Sequence, residues 1–166
     1  MILSMRRLCP LVLIGGISLI GRGATDTKDK SAFQISEDEQ AILDLTNKAR
    51  KKEKLPPLKT NETLCQVARA HSANMAKQGK MEHVLDNKNP AQRIKAAGYR
   101  HSYAGENVAA GNGWSLEDVF QVWMDSEAHR KNILTKEFKE IGIGIARDDQ
   151  NKLYYTQVFA TPRRAR

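Results

Sequence analysis

Apolar residues recur at two different periods along this chain, and the change of period divides it. From Ser36 to about Lys52, Ile42, Leu45 and Ala49 fall at helical spacing. Ser36 and Glu39 form an S-x-x-E capping box, and Pro56 with Pro57 forbids continuation. A second helix is expected from Asn61, with Leu64, Val67, Ala68, His71 and Met75 on one face and Gly79 as its stop. Asn89-Pro90 supplies the N-cap and first-turn proline of a short third helix, which carries Ile94 and Ala97 and ends at Gly98. Ser115 with Asp118 caps a fourth, whose Val119, Phe120, Val122 and Trp123 lead on to around His129. The segment between Gly98 and Gly113 shows no clear period.

Beyond Ile141 the period falls to two. IGIGIARDD (141–149) and KLYYTQVFAT (152–161) read as two strands joined at the polar DDQN turn. A lone hairpin is marginal, so helices must cover it. Helices first and a hairpin last predict an α+β domain with helices packed on an antiparallel sheet.

The termini differ from this domain. Residues 1–24 place Arg6 and Arg7 before an apolar run from Leu8 to Ile20, then Gly21, Gly23 and Ala24. That is the order of a secretory signal peptide, with an uncleaved N-terminal anchor as the alternative, and it predicts a secreted or extracytoplasmic protein. Residues 25–35 read as a polar linker, 36–162 as the domain and 163–166 as a basic tail. Removal of the leader takes Cys9 with it and leaves Cys65 alone on an apolar helical face, a small core residue without a disulfide partner. The formal charge is +8, of which Arg6, Arg7 and Arg22 supply three. The remaining basic runs, KARKKEK (48–54) and PRRAR, suit contact with an anionic envelope surface. No nucleic-acid motif accompanies them.

Polar groups stand among apolar neighbours in MEH (81–83), GEN (105–107), SEAHRKNIL (126–134) and YYTQVFA (154–160). Glu106 is the one charge in SYAGENVAAG. A carboxylate there could fix the tautomer of an imidazole, and Asn107 could satisfy nearby backbone. His71 reads as a packed, hydrogen-bonded core residue rather than a ligand. Ser126 and His129 are spaced i, i+3, yet no G-x-S-x-G elbow or placed cysteine nucleophile accompanies them.

With NKAR, AHSANMA, W-M-x-S-x-x-H-R-x-N-I-L and IGIGIA, these stretches resemble the bacterial branch of the CAP (SCP-domain) superfamily over residues 40–160. The resemblance implies an α-β-α sandwich around a small antiparallel sheet of three or four strands. It also implies a cleft of two histidines and acids able to hold a divalent metal, zinc or calcium. His83 matches the first cleft histidine, Glu106 the acid of GEN, and His129 the bacterial histidine; these three form the candidate metal set. Asn107 and Ser126 or Glu127 complete the expected cleft, with Tyr154 where other branches carry histidine. The reading is a non-enzymatic, monomeric module for a small apolar, lipid or cell-wall ligand or a partner protein. A metal-dependent hydrolase at the same cleft is the alternative.

Overall fold

The computed structural model describes residues 33–163. The leader, most of the linker and tail residues 164–166 lie outside the described residues. Helix α1 (Glu37–Lys52) opens with the expected capping box of Ser36 and Glu39. The Glu39 carboxylate also accepts from Arg69, tying the start of α1 to the middle of the second helix. After α1 come the two-residue strand β1 (Lys59–Thr60) and α2 (Glu62–Gln78), which is capped by Asn61 and closed by Gly79 at φ +63°. The short α3 (Pro90–Ala96) has Asn89 as its N-cap. Strand β2 (His101–Gly111), α4 (Leu116–Asp125), α5 (Glu127–Leu134), β3 (Glu140–Arg147) and β4 (Leu153–Pro162) follow.

The sheet order is β1-β3-β4-β2. The β3–β4 hairpin is the expected one, with Ile141 opposite Phe159 and Ile145 opposite Tyr155. Helices α2 and α3 cover one face. There Leu64, Val67, Ala68 and Ile94 pack on Val158 and Ala160, while Met75 and Leu85 pack on Val108 and Tyr154. Helices α1, α4 and α5 cover the other, with Ile42, Trp123 and Ile133 on Ile141, Ile143, Tyr155 and Phe159. This is the α-β-α sandwich. Cys65 is free and fully buried in α2, and burial pushes its thiol pKa up.

Three local expectations are corrected. The aperiodic stretch 101–111 is an eleven-residue strand, paired along its length with β4. Helical layers bury both of its faces at 106–109, so no polar–apolar alternation is required there. The fourth helix does not reach His129 unbroken. Ser126 takes extended backbone (φ −84°, ψ 121°) and separates α4 from α5. Exposed Arg130 donates to the freed Met124 carbonyl at 2.7 Å. The sheet is also not wholly antiparallel, since β1 pairs with β3 in parallel through Lys59 and Thr60.

The glycines of IGIGIA bring α2 onto the sheet without an intervening side chain. A Cβ on Gly142 would lie 2.0 Å from the Leu64 carbonyl carbon, and one on Gly144 would lie 2.2 Å from the Arg69 nitrogen. These obstacles are helix backbone, which cannot step aside locally. Gly142→Ala should therefore cost about 3 kcal/mol or more. Urea unfolding checks it, and a loss below about 0.5 kcal/mol would mean that the helix simply shifts outward.

Candidate functional site

The site is built on the edge strand β2, whose GEN residues alternate between its two faces. Gly105 leaves room for α5 and its following loop, because a Cβ there would meet Asn132 Oδ1 and Phe138 Cζ, each at 2.9 Å. Glu106 faces the α2–α3 layer and is 5% exposed. Asn107 faces the other layer and is fully buried.

Asn107 Nδ2 donates to the His129 carbonyl and to Gln157 Oε1, both at 3.1 Å, while Asn132 Nδ2 donates to Asn107 Oδ1 at 2.9 Å. Gln157 in turn donates to Thr46 of α1 at 2.9 Å. The outward carbonyls of β2 are capped as well: Asn132 reaches that of Glu106 at 3.0 Å, and the Trp123 indole N–H reaches that of Val108 at 3.1 Å. Edge carbonyls that could recruit another strand are thereby satisfied from within.

The Glu106 carboxylate is held on both oxygens. Oε1 accepts from His83 Nδ1 at 2.9 Å, and Oε2 accepts from Arg93 Nη2 at 2.5 Å. Arg93 also donates from Nη1 to the carbonyls of His83 (3.0 Å) and Lys88 (2.7 Å), so it fixes the 80–88 loop that carries His83. A carboxylate cannot donate, so Nδ1 of neutral His83 carries the proton. Among the described residues its Nε2 has no hydrogen-bond partner, and the side chain is 47% exposed. His129, held through its carbonyl by Asn107, brings its ring to 6.2 Å from that of His83, centroid to centroid.

A third imidazole lies beneath. His71 is 1% exposed and donates from Nε2 to the Glu82 carbonyl at 3.0 Å. That Nε2 lies 3.7 Å from Glu106 Oε1. Burial lowers the His71 pKa, and the attraction of Glu106 is opposed by Arg93, so near neutral pH this contact is not an ion pair. Burial, and secondarily the neighbouring His83, lower the His129 pKa too.

The structure thus brings together His83, Glu106, His129 and Asn107. Tyr154 stands elsewhere. Val158 is the β4 partner of Glu106, whereas Tyr154 pairs with Ala110, packs among Met75, Leu85 and Val108, and donates to Asp148 at 3.3 Å. Its ring is part of the core rather than of the cleft. Glu127 is an exposed residue of the first turn of α5. Ser126 is the junction residue, and its side chain makes no capping bond. Arg93 and the closeness of His71 to the acid were missed. Arg93 looks like an ordinary surface position of an amphipathic helix, and nothing in its spacing marks it. Asn132 lies inside the H-R-x-N-I-L motif, which could have marked it.

Residues 43–159 match the family model of the cysteine-rich secretory protein family, CAP. This chain belongs to the CAP family. Two Bacillus subtilis proteins are similar: the uncharacterized protein YkwD, 38% identical over 72% of this chain and 47% of its own length, and the uncharacterized membrane protein YlbC, 32% identical over 83% and 38%. The chain therefore spans less than half the length of these CAP relatives. The fold resembles an outer surface protein of Borrelia burgdorferi, with TM-score 0.73 and 22% identity over 79% of this chain and 97% of that one. An extracellular protein of Bacillus anthracis containing an SCP domain has TM-score 0.68 and 28% identity, over 78% of this chain and 45% of that one. Among the described residues no helix is long and apolar enough to cross a membrane.

Two measurements test this geometry. Glu106→Gln removes the charge facing Arg93 and should destabilise the domain by about 3 kcal/mol. Combined with Arg93→Met it should cost clearly less than the sum of the single losses; simple additivity would mean the pair is not coupled. His71 and His129 both have native pKa values below the ordinary 6.5. The unfolded chain thus binds more protons as pH falls through 6.5, and stability present above that pH is lost on acidification. His129→Gln should flatten this loss. Unfolding free energies unchanged from about pH 7 to 5 would contradict the assignment.

Proposed function

We propose that this CAP-family chain is an extracytoplasmic, non-enzymatic recognition module. It binds a small apolar or cell-envelope ligand, or a partner, at the His83–Glu106–His129 cleft. The observation that carries this reading is the full engagement of Glu106. With one oxygen on His83 and the other on Arg93, the buried acid is placed to orient the imidazole rather than to act as a base or nucleophile itself. The Ser72 hydroxyl is buried between the Gly144 carbonyl and Thr156 Oγ1, and no hydrogen bond links Ser126 to His129 among the described residues. What remains is an oriented imidazole with Met81 and Val84 exposed beside it. One polar point with apolar neighbours suits an amphiphilic ligand.

The location is supported by the charged-then-apolar order of residues 1–24 and by the extracellular relative from Bacillus anthracis. A divalent metal fits in a limited way. Among the described residues no three His, Cys, Asp or Glu side chains form a group able to hold one. His83 and His129 would be its two protein ligands, and Glu106 would orient His83 rather than bind the ion. Two imidazoles favour zinc over calcium, which prefers oxygen, and fall short of the three ligands of a catalytic zinc site. When bound, such an ion would supply a Lewis-acidic point for an anionic ligand group.

The test is to incubate the purified protein with ester, peptide and cell-wall substrates, with and without zinc, and to titrate zinc by calorimetry. We expect no turnover that depends on His83, and zinc binding in the micromolar range or weaker that His83→Ala or His129→Ala removes. Turnover abolished by His83→Ala would replace this reading with the metal-dependent hydrolase.

A further inference from the structure

A second surface forms around a buried cation far from GEN in sequence. Arg50, at the end of α1, is fully buried. It donates to the carbonyls of Pro56 (2.9 Å), Ile133 (2.8 Å) and Thr135 (2.9 Å), with no carboxylate among its hydrogen-bond partners in the described residues. The Lys59 N–H donates to the Lys139 carbonyl at 3.1 Å. Four separate segments therefore meet here: the end of α1, its connection to β1, the end of α5, and the loop into β3.

Each of these segments carries exposed lysine. Lys51 and Lys54 follow Arg50, Lys59 lies on β1, Lys131 on α5, and Lys136 with Lys139 on the loop into β3. The interspersed acids are Glu53, Glu137 and Glu140, and Glu140 is taken up by the Tyr99 hydroxyl at 2.5 Å. Among the described residues none of the six lysines is in a salt bridge. A helix C-terminus accounts for Lys51, which complements the α1 dipole. It does not account for lysines on β1 and on the loop into β3.

We infer that this lysine face binds a linear polyphosphodiester, the chemistry of an anionic wall polymer. The basic run 48–54 is only part of the surface, because the fold adds Lys59, Lys136 and Lys139 to it. Lysine is a hydrated point charge, suited to a flexible line of phosphates rather than to bidentate recognition of one. Attraction of that kind is driven by release of counterions and falls steeply with salt. Stable insertion into a bilayer needs an apolar wedge beside the charge, and single-stranded nucleic acid needs a succession of stacking rings. Among the described residues the exposed aromatic bordering the face, Tyr103, has a ring face covered by Phe138 at 5.0 Å and supplies neither.

The test measures binding of the purified protein to long-chain inorganic polyphosphate, to phosphatidylglycerol vesicles, and to cell walls with or without their phosphate polymer. Lys51→Glu/Lys59→Glu/Lys136→Glu is compared with an equal reversal elsewhere, Lys77→Glu/Lys80→Glu/Lys95→Glu. Circular dichroism confirms folding, and Lys→Gln versions replace any triple variant that unfolds. Reversal on the face should weaken polyphosphate binding about tenfold or more, reversal elsewhere about threefold at most, and raising NaCl from about 50 to 200 mM should weaken the unmodified protein at least tenfold. Walls stripped of phosphate polymer should lose binding. Equal losses in the two triple variants, salt-independent binding, retention on stripped walls, or tighter binding to vesicles would each overturn the proposal. Its failure leaves the His83 cleft untouched, since no residue is shared.

Discussion

A carboxylate buried between a sheet and its helices has to be neutralised, and Glu106 imposes that demand on everything near it. The side chain is 1% exposed. Left alone in such a place it would be protonated or would unfold its surroundings. Arg93 from α3 and His83 from the preceding loop answer the demand, and Arg93 then gathers the loop itself through two carbonyls. Loop, helix and strand are thus held in one register by a single acid. The exposed imidazole is a by-product of that bond, because a ring tethered at Nδ1 presents its opposite nitrogen outward.

The adjacent asparagine does the corresponding work on the other side of the sheet. Successive side chains of a strand point to opposite faces. Glu106 therefore serves the α2–α3 layer, and Asn107 serves α1 and α5 through Gln157 and the His129 carbonyl. Since β2 is the edge strand, the two layers approach each other around it, and His129 can meet His83 there. A central strand, flanked by neighbours on both sides, would offer no such passage. The break at Ser126 belongs to the same arrangement, because it separates α4, which packs Trp123 under the sheet, from α5, whose Asn132 caps the strand edge.

The relatives fit this division between scaffold and site. Shared CAP-family membership with YkwD, at 38% identity over 72% of this chain, goes with the fold. The likeness to the Borrelia outer surface protein, at 22% identity, concerns the fold alone. Hydrogen bonding at the cleft and lysine placement at the far end of α1 are separate properties of this chain, and different residues carry them.

By itself the sequence determined where the first four helices begin, their caps, the hairpin and the family, because these depend on local spacing: Ser36 with Glu39, Asn61 with Gly79, Asn89 with Pro90, and isoleucine alternating with glycine. It also marked His83, Glu106 and His129 through motif resemblance. It did not reveal β2 as a strand, since a segment buried on both faces shows no alternation. It did not reveal Arg93, since a guanidinium on a short helix looks the same whether it meets water or a buried acid. It could not separate Tyr154 from the cleft, because the β2–β4 register decides which residue lies opposite Glu106. These were settled only when distant segments met, because burial and ion pairing depend on what lies across the gap in space.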